Sequence, residues 1–300
     1  MIIESNRLDT ETAHFLFNQN RYLQANSLTA LTFADKASSP MCFINMIEAL
    51  PKMYISGLRA PFAGIECSDT NALDTLVKEL VETYRKRGDG EIFIKQAPVF
   101  YHTAVAADID AALRSNGFKL LHTDVNQYLP VDAAKSFIGS IDYQKRRSLR
   151  ILKQKGAQAV FFNAIESDIW YALYLKSRKY KNYPVTISKE QYDLLSTKLP
   201  DAYRYVGVFL DGKLIANAVW VQVTKDIVYY FLAASDPDYD VFSPSIMLIE
   251  ALYDRACAEG IKIIDLGVSS IEGVLNEGLH FFKRNVGGID SQKNTYGLLC

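Results

Sequence analysis

Residues 243–267 read Ser243-Pro-Ser-Ile-Met-Leu-Ile-Glu-Ala-Leu-Tyr-Asp-Arg-Ala-Cys-Ala-Glu-Gly-Ile-Lys-Ile-Ile-Asp-Leu-Gly267. Ile246, Ile249, Leu252, Tyr253, Ala256 and Cys257 recur at helical spacing and make one apolar face. Ser243 is expected at the N-cap, with Pro244 at the first helical position, where a missing N–H does no harm. Gly260 closes this helix, and 261–267 is a short apolar run of the buried-strand type. Upstream, 203–209 reads as a strand, Asp211-Gly212 as a two-residue hairpin turn, and 214–223 as the returning strand. A third strand, rich in Tyr and Val, is expected over 226–234. Downstream, 276–284 reads as a short helix, followed by a Gly-rich and then strand-like tail.

The order helix, glycine, apolar strand, short helix, returning strand also occurs earlier. Over 71–86, Leu73, Leu76, Val77, Leu80, Val81 and Tyr84 form a wide apolar face. Ser68, Asp69 and Asn71 offer caps before it, and Gly88 and Gly90 end it. A strand is expected at 91–97, a helix at 105–115 stopped by Asn116-Gly117, and a returning strand at 118–130. The repetition predicts a duplicated α/β domain, divided into 1–139 and 140–300. The alternative is an ordinary α/β chain in which strands and helices simply alternate.

The chain has 300 residues, enough for one large core or two domains of ~150 residues. Hydrophobic residues make up 49% and charged residues 22%, a balance that excludes a mainly disordered chain. A net charge of −1 excludes coating of nucleic acid by global charge, and no DNA partner is expected. No apolar stretch approaches the ~20 residues of a membrane span. Residues 1–12 carry Glu4, Arg7, Asp9 and Glu11 without a long apolar run, so no secretory signal and a cytoplasmic location are expected. Cys42, Cys67, Cys257 and Cys300 are far apart and suggest neither a metal-ligand pair nor a disulfide framework.

One segment departs from the neutral average. Lys145, Arg146, Arg147, Arg150, Lys153 and Lys155 place six cations in eleven residues without an acid. Leu149 and Leu152 would anchor one face of a helix there. The segment is either a solvated connector or a site for a phosphate-bearing substrate, a nucleotide diphosphate or tRNA.

The motif order in 203–288 resembles the GNAT acyltransferase superfamily, and most closely its tandem Fem-type members, which add amino acids to peptidoglycan precursors. The likeness is carried by Tyr205-Val-Gly-Val-Phe-Leu-Asp-Gly-Lys-Leu-Ile-Ala216, Tyr229-Tyr-Phe-Leu-Ala-Ala-Ser-Asp236, Ser243-Pro-Ser-Ile-Met-Leu248, Gly260-Ile-Lys-Ile-Ile-Asp-Leu-Gly267 and Phe282-Lys-Arg-Asn-Val-Gly-Gly288. In the first half, Ser56-Gly-Leu-Arg-Ala-Pro-Phe-Ala-Gly-Ile-Glu66 resembles the family's Pro-Phe-(Ala/Gly)-Gly stretch. The basic segment 144–156 is similar to the basic helix that enters the second domain of such proteins. The resemblance implies an α/β (α+β) fold of two tandem GNAT-like domains, each a mixed, largely antiparallel sheet flanked by helices. It further implies an acyltransferase that moves an acyl or aminoacyl group onto a small-molecule or peptide amine. The alternatives are a coenzyme-A-dependent N-acetyltransferase and a catalytically silent GNAT-derived binding module.

Coenzyme-A-dependent members usually carry an Arg/Gln-x-x-Gly-x-Gly/Ala loop whose N–H groups grip the pyrophosphate. Here the corresponding stretch is Tyr239-Asp-Val-Phe-Ser-Pro-Ser245, with no glycine and no cation, and Asp236, Asp238 and Asp240 add negative charge. Ser243 and Ser245 remain candidate phosphate contacts, with Lys145, Arg146 and Arg147. No cofactor is certain; acyl-coenzyme A and aminoacyl-tRNA are the candidate donors, and no metal site is expected.

Acyl transfer requires a neutral amine near the carbonyl, donors for the developing oxyanion and a proton route. By the resemblance, the acyl group lies where 229–234 splays from 263–267, with N–H groups near 232–234 facing the oxyanion. Lys283 is the first catalytic candidate by the Fem-type pattern; the plain reading is a helix-end cation, which applies equally to Arg284. Asp265, an acid within an apolar strand, is either structurally hydrogen-bonded or a base or amine anchor. Tyr229 and Tyr230 alternate in facing, so one is expected to reach the groove. His280 precedes Lys283 by three residues on a neighbouring helical face. Glu272 is a loop acid near the expected acceptor, and Arg59, Phe62 and Glu66 surround the 61–64 turn as candidate substrate contacts.

Overall fold

The fold was obtained as a computed structural model describing residues 10, 13–88, 90–163 and 165–300, with the backbone of 3–5 and without the Ser196 side chain. Arg7, Asp9 and Glu11, read above for their charge, lie outside the described residues, as does the Glu4 side chain.

The chain divides into two compact units that are not consecutive segments. The first comprises 1–126, 270–275 and 291–300; the second comprises 127–269 and 276–290. Their composition differs from a single cut at 139/140 because pairing partners of the late strands are fixed by the sheet and leave no mark in local periodicity.

The first unit begins with β1 (Ile3–Ser5), α1 (Asn20–Ala25), β2 (Leu31–Ala34), β3 (Cys42–Leu50), β4 (Met53–Ile55) and β5 (Glu66–Cys67). It continues with α2 (Leu73–Lys86), β6 (Glu91–Lys95), α3 (Ala106–Ser115) and β7 (Lys119–Pro130), of which residues to 126 belong here. Asp69 accepts the Asn71 N–H in the turn that precedes α2. The periodic face of α2 (Leu73, Leu76, Val77, Leu80, Val81 and Tyr84) is buried against Ile44, Met46, Ile92 and Ile94. Each such side chain stabilises by about 1.5–3 kcal/mol relative to exposure. β4 and β6 are parallel over Met53↔Glu91, Tyr54↔Ile92 and Ile55↔Phe93, with α2 in their crossover.

In the second unit the chain runs α4 (Phe137–Ser140), α5 (Tyr143–Gln154), β8 (Gln158–Phe162), α6 (Ser167–Lys181) and α7 (Lys189–Lys198). Then come β9 (Tyr203–Leu210), β10 (Lys213–Gln222), β11 (Ile227–Ser235), α8 (Ser245–Glu259) and β12 (Ile263–Val268). A small hairpin of β13 (Ser270–Ile271) and β14 (Val274–Leu275) belongs to the first unit, α9 (Glu277–Asn285) to the second. Finally β15 (Ile289–Leu299) returns to the first unit from residue 291 and pairs antiparallel with β6. The strand order of the second unit is β12-β11-β10-β9-β8. β8 to β11 are antiparallel neighbours, whereas β11 and β12 run parallel, with α8 as crossover. A mixed, largely antiparallel sheet flanked by helices is therefore present, as the resemblance implied.

Both units contain the order parallel strand, long helix, parallel strand, short helix, whereas the strand after the second short helix, β15, belongs to the first unit from residue 291. α8 packs Ile246, Ile249, Leu252, Tyr253 and Ala256 on Val206, Val208, Trp220, Val228 and Ile264. α5 adds Leu149 and Leu152 to that core, so the basic segment is an anchored helix, with Asp142 capping it by accepting the Gln144 N–H. One local expectation shifts. α8 starts at Ser245 with Pro244 as its cap residue, while Ser243, at φ +50°, ends the preceding 3-10 turn Pro237–Phe242. Gly260 closes α8 in the left-handed conformation, φ +71°, as its type predicts.

Candidate active site

The ladder of β11 and β12 has three pairs, Ile227↔Ile263, Val228↔Ile264 and Tyr229↔Asp265, and ends there. β11 continues to Ser235 and β12 to Val268. The two strands thus part after Tyr229 and Asp265, at the place expected for the acyl group. Against β10, the register shifts between Asn217↔Ala234 and Val219↔Phe231, so Leu232 and Ala233 together oppose Ala218. This is a β-bulge, and Leu232 occupies it with φ +50°, a strained conformation for a branched apolar residue. The bulge interrupts the regular ladder at Leu232 and Ala233.

On the other strand, Gly267 has φ +75°. Its N–H donates to Asp265 Oδ1 at 2.8 Å, and its carbonyl accepts from Lys283 Nζ at 2.8 Å. Lys283 Nζ also donates to Val268 O at 2.8 Å, leaving one of its three donors. Lys283 is 5% exposed, and burial pulls its pKa down to about 7, although the Asp265 charge acts in the opposite direction. The half-buried Tyr229 lies against the same glycine: a Cβ on Gly267 would sit 3.0 Å from Tyr229 Oη. Burial, and then Asp265, push the Tyr229 pKa up, so the phenol stays protonated. Tyr229, Asp265 and Lys283 therefore converge on Gly267.

The other candidates of this unit are distributed around the cluster. Tyr230 turns the opposite way, into the core that α8 covers. His280 Nε2 lies 3.1 Å from Asp290, and Arg284 lies 3.6 Å from the same carboxylate, which also accepts from Gln127 Nε2 at 3.0 Å. Lys145 sits over the Phe282 ring at 5.1 Å, next to Lys283 in sequence. Arg146 is half-buried and Arg147 exposed. Ser245 opens α8, but the N–H groups that follow are bonded within the turn: Ile246 to Ser243 O, Met247 and Leu248 to Pro244 O. Asp236 is held by Lys176 at 2.5 Å and Lys213 at 3.0 Å, and Asp240 accepts from Ser235 Oγ at 2.9 Å. These lysines hold the Asp236 carboxyl at about 2, although its burial acts the other way.

Sequence reasoning missed the C-terminal end of α6. Asn276, which caps α9 by accepting the Leu279 N–H, donates to Tyr183 Oη at 3.0 Å. Arg178 lies 5.8 Å from the Tyr183 ring, and its charge is felt by Tyr229. Lys181 donates to Ser235 Oγ at 3.2 Å, at the end of β11. The signal was present as Lys176, Arg178, Lys179 and Lys181 interleaved with Tyr180 and Tyr183.

Four candidates lie in the first unit. Phe62 is 1% exposed and packs edge-on to Phe17 at 5.1 Å, so it is a core residue. Glu66 accepts from His14 N–H at 2.7 Å, Phe15 N–H at 3.1 Å and Asn18 Nδ2 at 2.9 Å. Its burial pushes the carboxyl up to about 7 against those three bonds. Arg59, exposed and at φ +62°, donates to Asn26 O at 2.8 Å. Glu272 is exposed at φ +50° in the β13–β14 turn. No group of three or more His, Cys, Asp or Glu among the described residues is arranged to hold a metal ion, and no described helix is long and apolar enough to cross a membrane.

Residues 143–284 match the family described as Acetyltransferase (GNAT) domain. No curated protein matches the sequence. Among solved structures, FemX superposes with a TM-score of 0.73 at 12% identity, covering 99% of this chain and 97% of its own. The C-terminal domain of a putative lysylphosphatidylglycerol synthetase from Agrobacterium fabrum gives 0.62 at 14% identity, with 92% and 86% covered. A tandem GNAT protein from the clavulanic acid biosynthesis pathway gives 0.58 at 7% identity, with 100% and 98% covered. Residues 143–284 thus match the GNAT domain family, in a chain that shares its fold with FemX and with a tandem GNAT protein.

Proposed function

We propose that the second unit transfers an aminoacyl group from an aminoacyl ester of tRNA onto an amine, with the reacting carbonyl in the splay of β11 and β12. The observation that carries this reading is the convergence of a parted parallel ladder, a bulge at Leu232 and the buried ammonium of Lys283. The acceptor amine attacks the carbonyl carbon, the ester C–O bond breaks, and the ribose hydroxyl leaves with a proton from the amine. The N–H groups of 232–234 receive the developing oxyanion. Lys283, oriented by the Gly267 and Val268 carbonyls, supplies the nearby cation. Tyr229 is a neutral donor to substrate. Asp265 is a positioning residue that fixes Gly267 through its N–H.

The donor assignment rests on the start of α8. The N–H groups of 246–248 are already bonded within the turn, and three aspartates stand before it. A coenzyme A pyrophosphate fits poorly there, and no step is routed through it. The cations of α5 supply the alternative phosphate contacts, with Arg146 and Arg147 on the anchored basic helix. FemX and the putative lysylphosphatidylglycerol synthetase domain share the fold, and the name of the second states an aminoacylated lipid as its product.

The test is single-turnover release of a labelled amino acid from charged tRNA in the presence of a panel of lysine-containing peptides and aminolipids. Release that depends on both acceptor and Lys283 supports the reading. Thermal stabilisation by acetyl-coenzyme A, with none by charged tRNA, would replace it with a coenzyme-A-dependent N-acyltransferase. A response to neither would leave a silent binding module.

A further inference from the structure

The cysteines that look isolated in the sequence include one pair that the first unit brings together. β5 lies antiparallel on β3 with Cys42 opposite Cys67 and Phe43 opposite Glu66. The Ser68 N–H donates to Met41 O at 2.7 Å, which makes 41 and 68 a hydrogen-bonded pair. By alternation, 42 and 67 form a non-hydrogen-bonded pair, where Cα atoms are ~4.5 Å apart and the side chains leave the same face. Disulfides span Cα separations of about 4.4–6.8 Å, so a bond here needs no rearrangement of the strands.

The two thiols differ in access. Cys42 is fully buried among Phe33, Ile44 and Leu73. Cys67 is half-exposed, and its Sγ lies 3.2 Å from Asp69 O. A hydrogen bond from Cys42 pulls the Cys67 pKa down, and the same contact together with burial pushes Cys42 up. That asymmetry suits an exposed attacking thiol and a buried resolving thiol.

We propose that Cys42 and Cys67 form a redox modification site, a dithiol oxidised by a small-molecule disulfide of the glutathione type. The Cys67 thiolate attacks one sulfur of glutathione disulfide, breaking its S–S bond and expelling one glutathione thiolate. Cys42 then gives up its proton and attacks the Cys67 sulfur of the mixed disulfide, expelling the second glutathione. The protein dithiol loses two electrons, the glutathione disulfide gains them, and the two protein protons end on the two released thiols. The product staples β5 to β3 beside Glu66, whose carboxylate holds the backbone of His14 and Phe15.

The experiment exposes the full chain to glutathione disulfide, traps remaining thiols with an alkylating agent and maps them by mass spectrometry. Loss of two of the four thiols, with a peptide linking 42 to 67, is the expected result. Cys67→Ser should leave Cys42 alkylatable, and Cys42→Ser should accumulate a stable glutathione adduct on Cys67. Four alkylated thiols in the exposed wild-type protein, or a Cys67 adduct that never resolves there, would overturn the proposal. The wild-type measurement decides it even where a variant fails to fold.

Discussion

Replacing Lys283 by Met tests the electrostatics of the candidate site directly. In the folded protein the ammonium titrates at about 7, whereas the ordinary lysine value is 10.5. Between those values the unfolded chain holds a proton that the folded chain has released. Stability therefore rises with pH across this window, with a limiting slope of about 1.36 kcal/mol per unit. Integrating the two titrations from pH 7 to pH 9 gives a gain of about 2.3 kcal/mol that belongs to this one residue. Lys283→Met keeps the apolar stem and removes the proton, so the stability of the variant relative to wild type should fall by about that amount over the same interval. The lost hydrogen bonds to Gly267 and Val268 add a cost that is nearly constant with pH. Trp170 and Trp220 are both buried in the second unit, so tryptophan fluorescence in urea titrations at pH 7, 8 and 9 reads the relevant unit. Parallel pH profiles for the two proteins would refute the desolvation argument. The same ammonium gives a sign for catalysis: turnover should fall as pH climbs through 7, and a Lys283→Met enzyme with wild-type turnover would remove Lys283 from the mechanism.

Gly267→Ala should cost about 2 kcal/mol, because the position has φ +75° and the new methyl meets Tyr229 Oη at 3.0 Å; an unchanged melting temperature would contradict the convergence on this glycine. Reversing charge at Lys145, Arg146 and Arg147 together should reduce the log–log salt slope of tRNA binding by about 2 to 3, read by filter binding, and an unaltered slope would exclude α5 as the phosphate contact. Glu66 has the opposite linkage to Lys283. Its folded pKa of about 7 lies above the ordinary 4.5, so it contributes stability that is full below that lower value and is lost as pH rises towards 7, by up to about 3 kcal/mol. Amide exchange at His14 and Phe15, corrected for intrinsic rates, should report that loss, and Glu66→Gln should abolish the pH dependence.

Much of the second unit was legible because its elements announce themselves locally. The apolar period of α8, the Asp211-Gly212 turn and Gly260 each act within a few residues, and the elements fall where those signals put them. The start of α8 moved by one residue because Pro244 and the left-handed Ser243 reshape the entering turn. α6 and its cations stayed unread because their importance comes from Ser235, Asn276 and Tyr229, which are remote in sequence.

The sequence by itself determined the repeated order of helices and strands, the basic helix anchored by Leu149 and Leu152, and the resemblance to the GNAT fold. Those are consequences of period, turn chemistry and local burial. Only the tertiary structure decided that β15 joins the first unit, that the parallel ladder ends at Tyr229 and Asp265, and that Lys283 loses its water against two carbonyls. It also decided that Cys42 faces Cys67. Strand partnership and desolvation depend on residues far away along the chain, and a one-dimensional pattern carries no record of which distant atoms will displace the solvent.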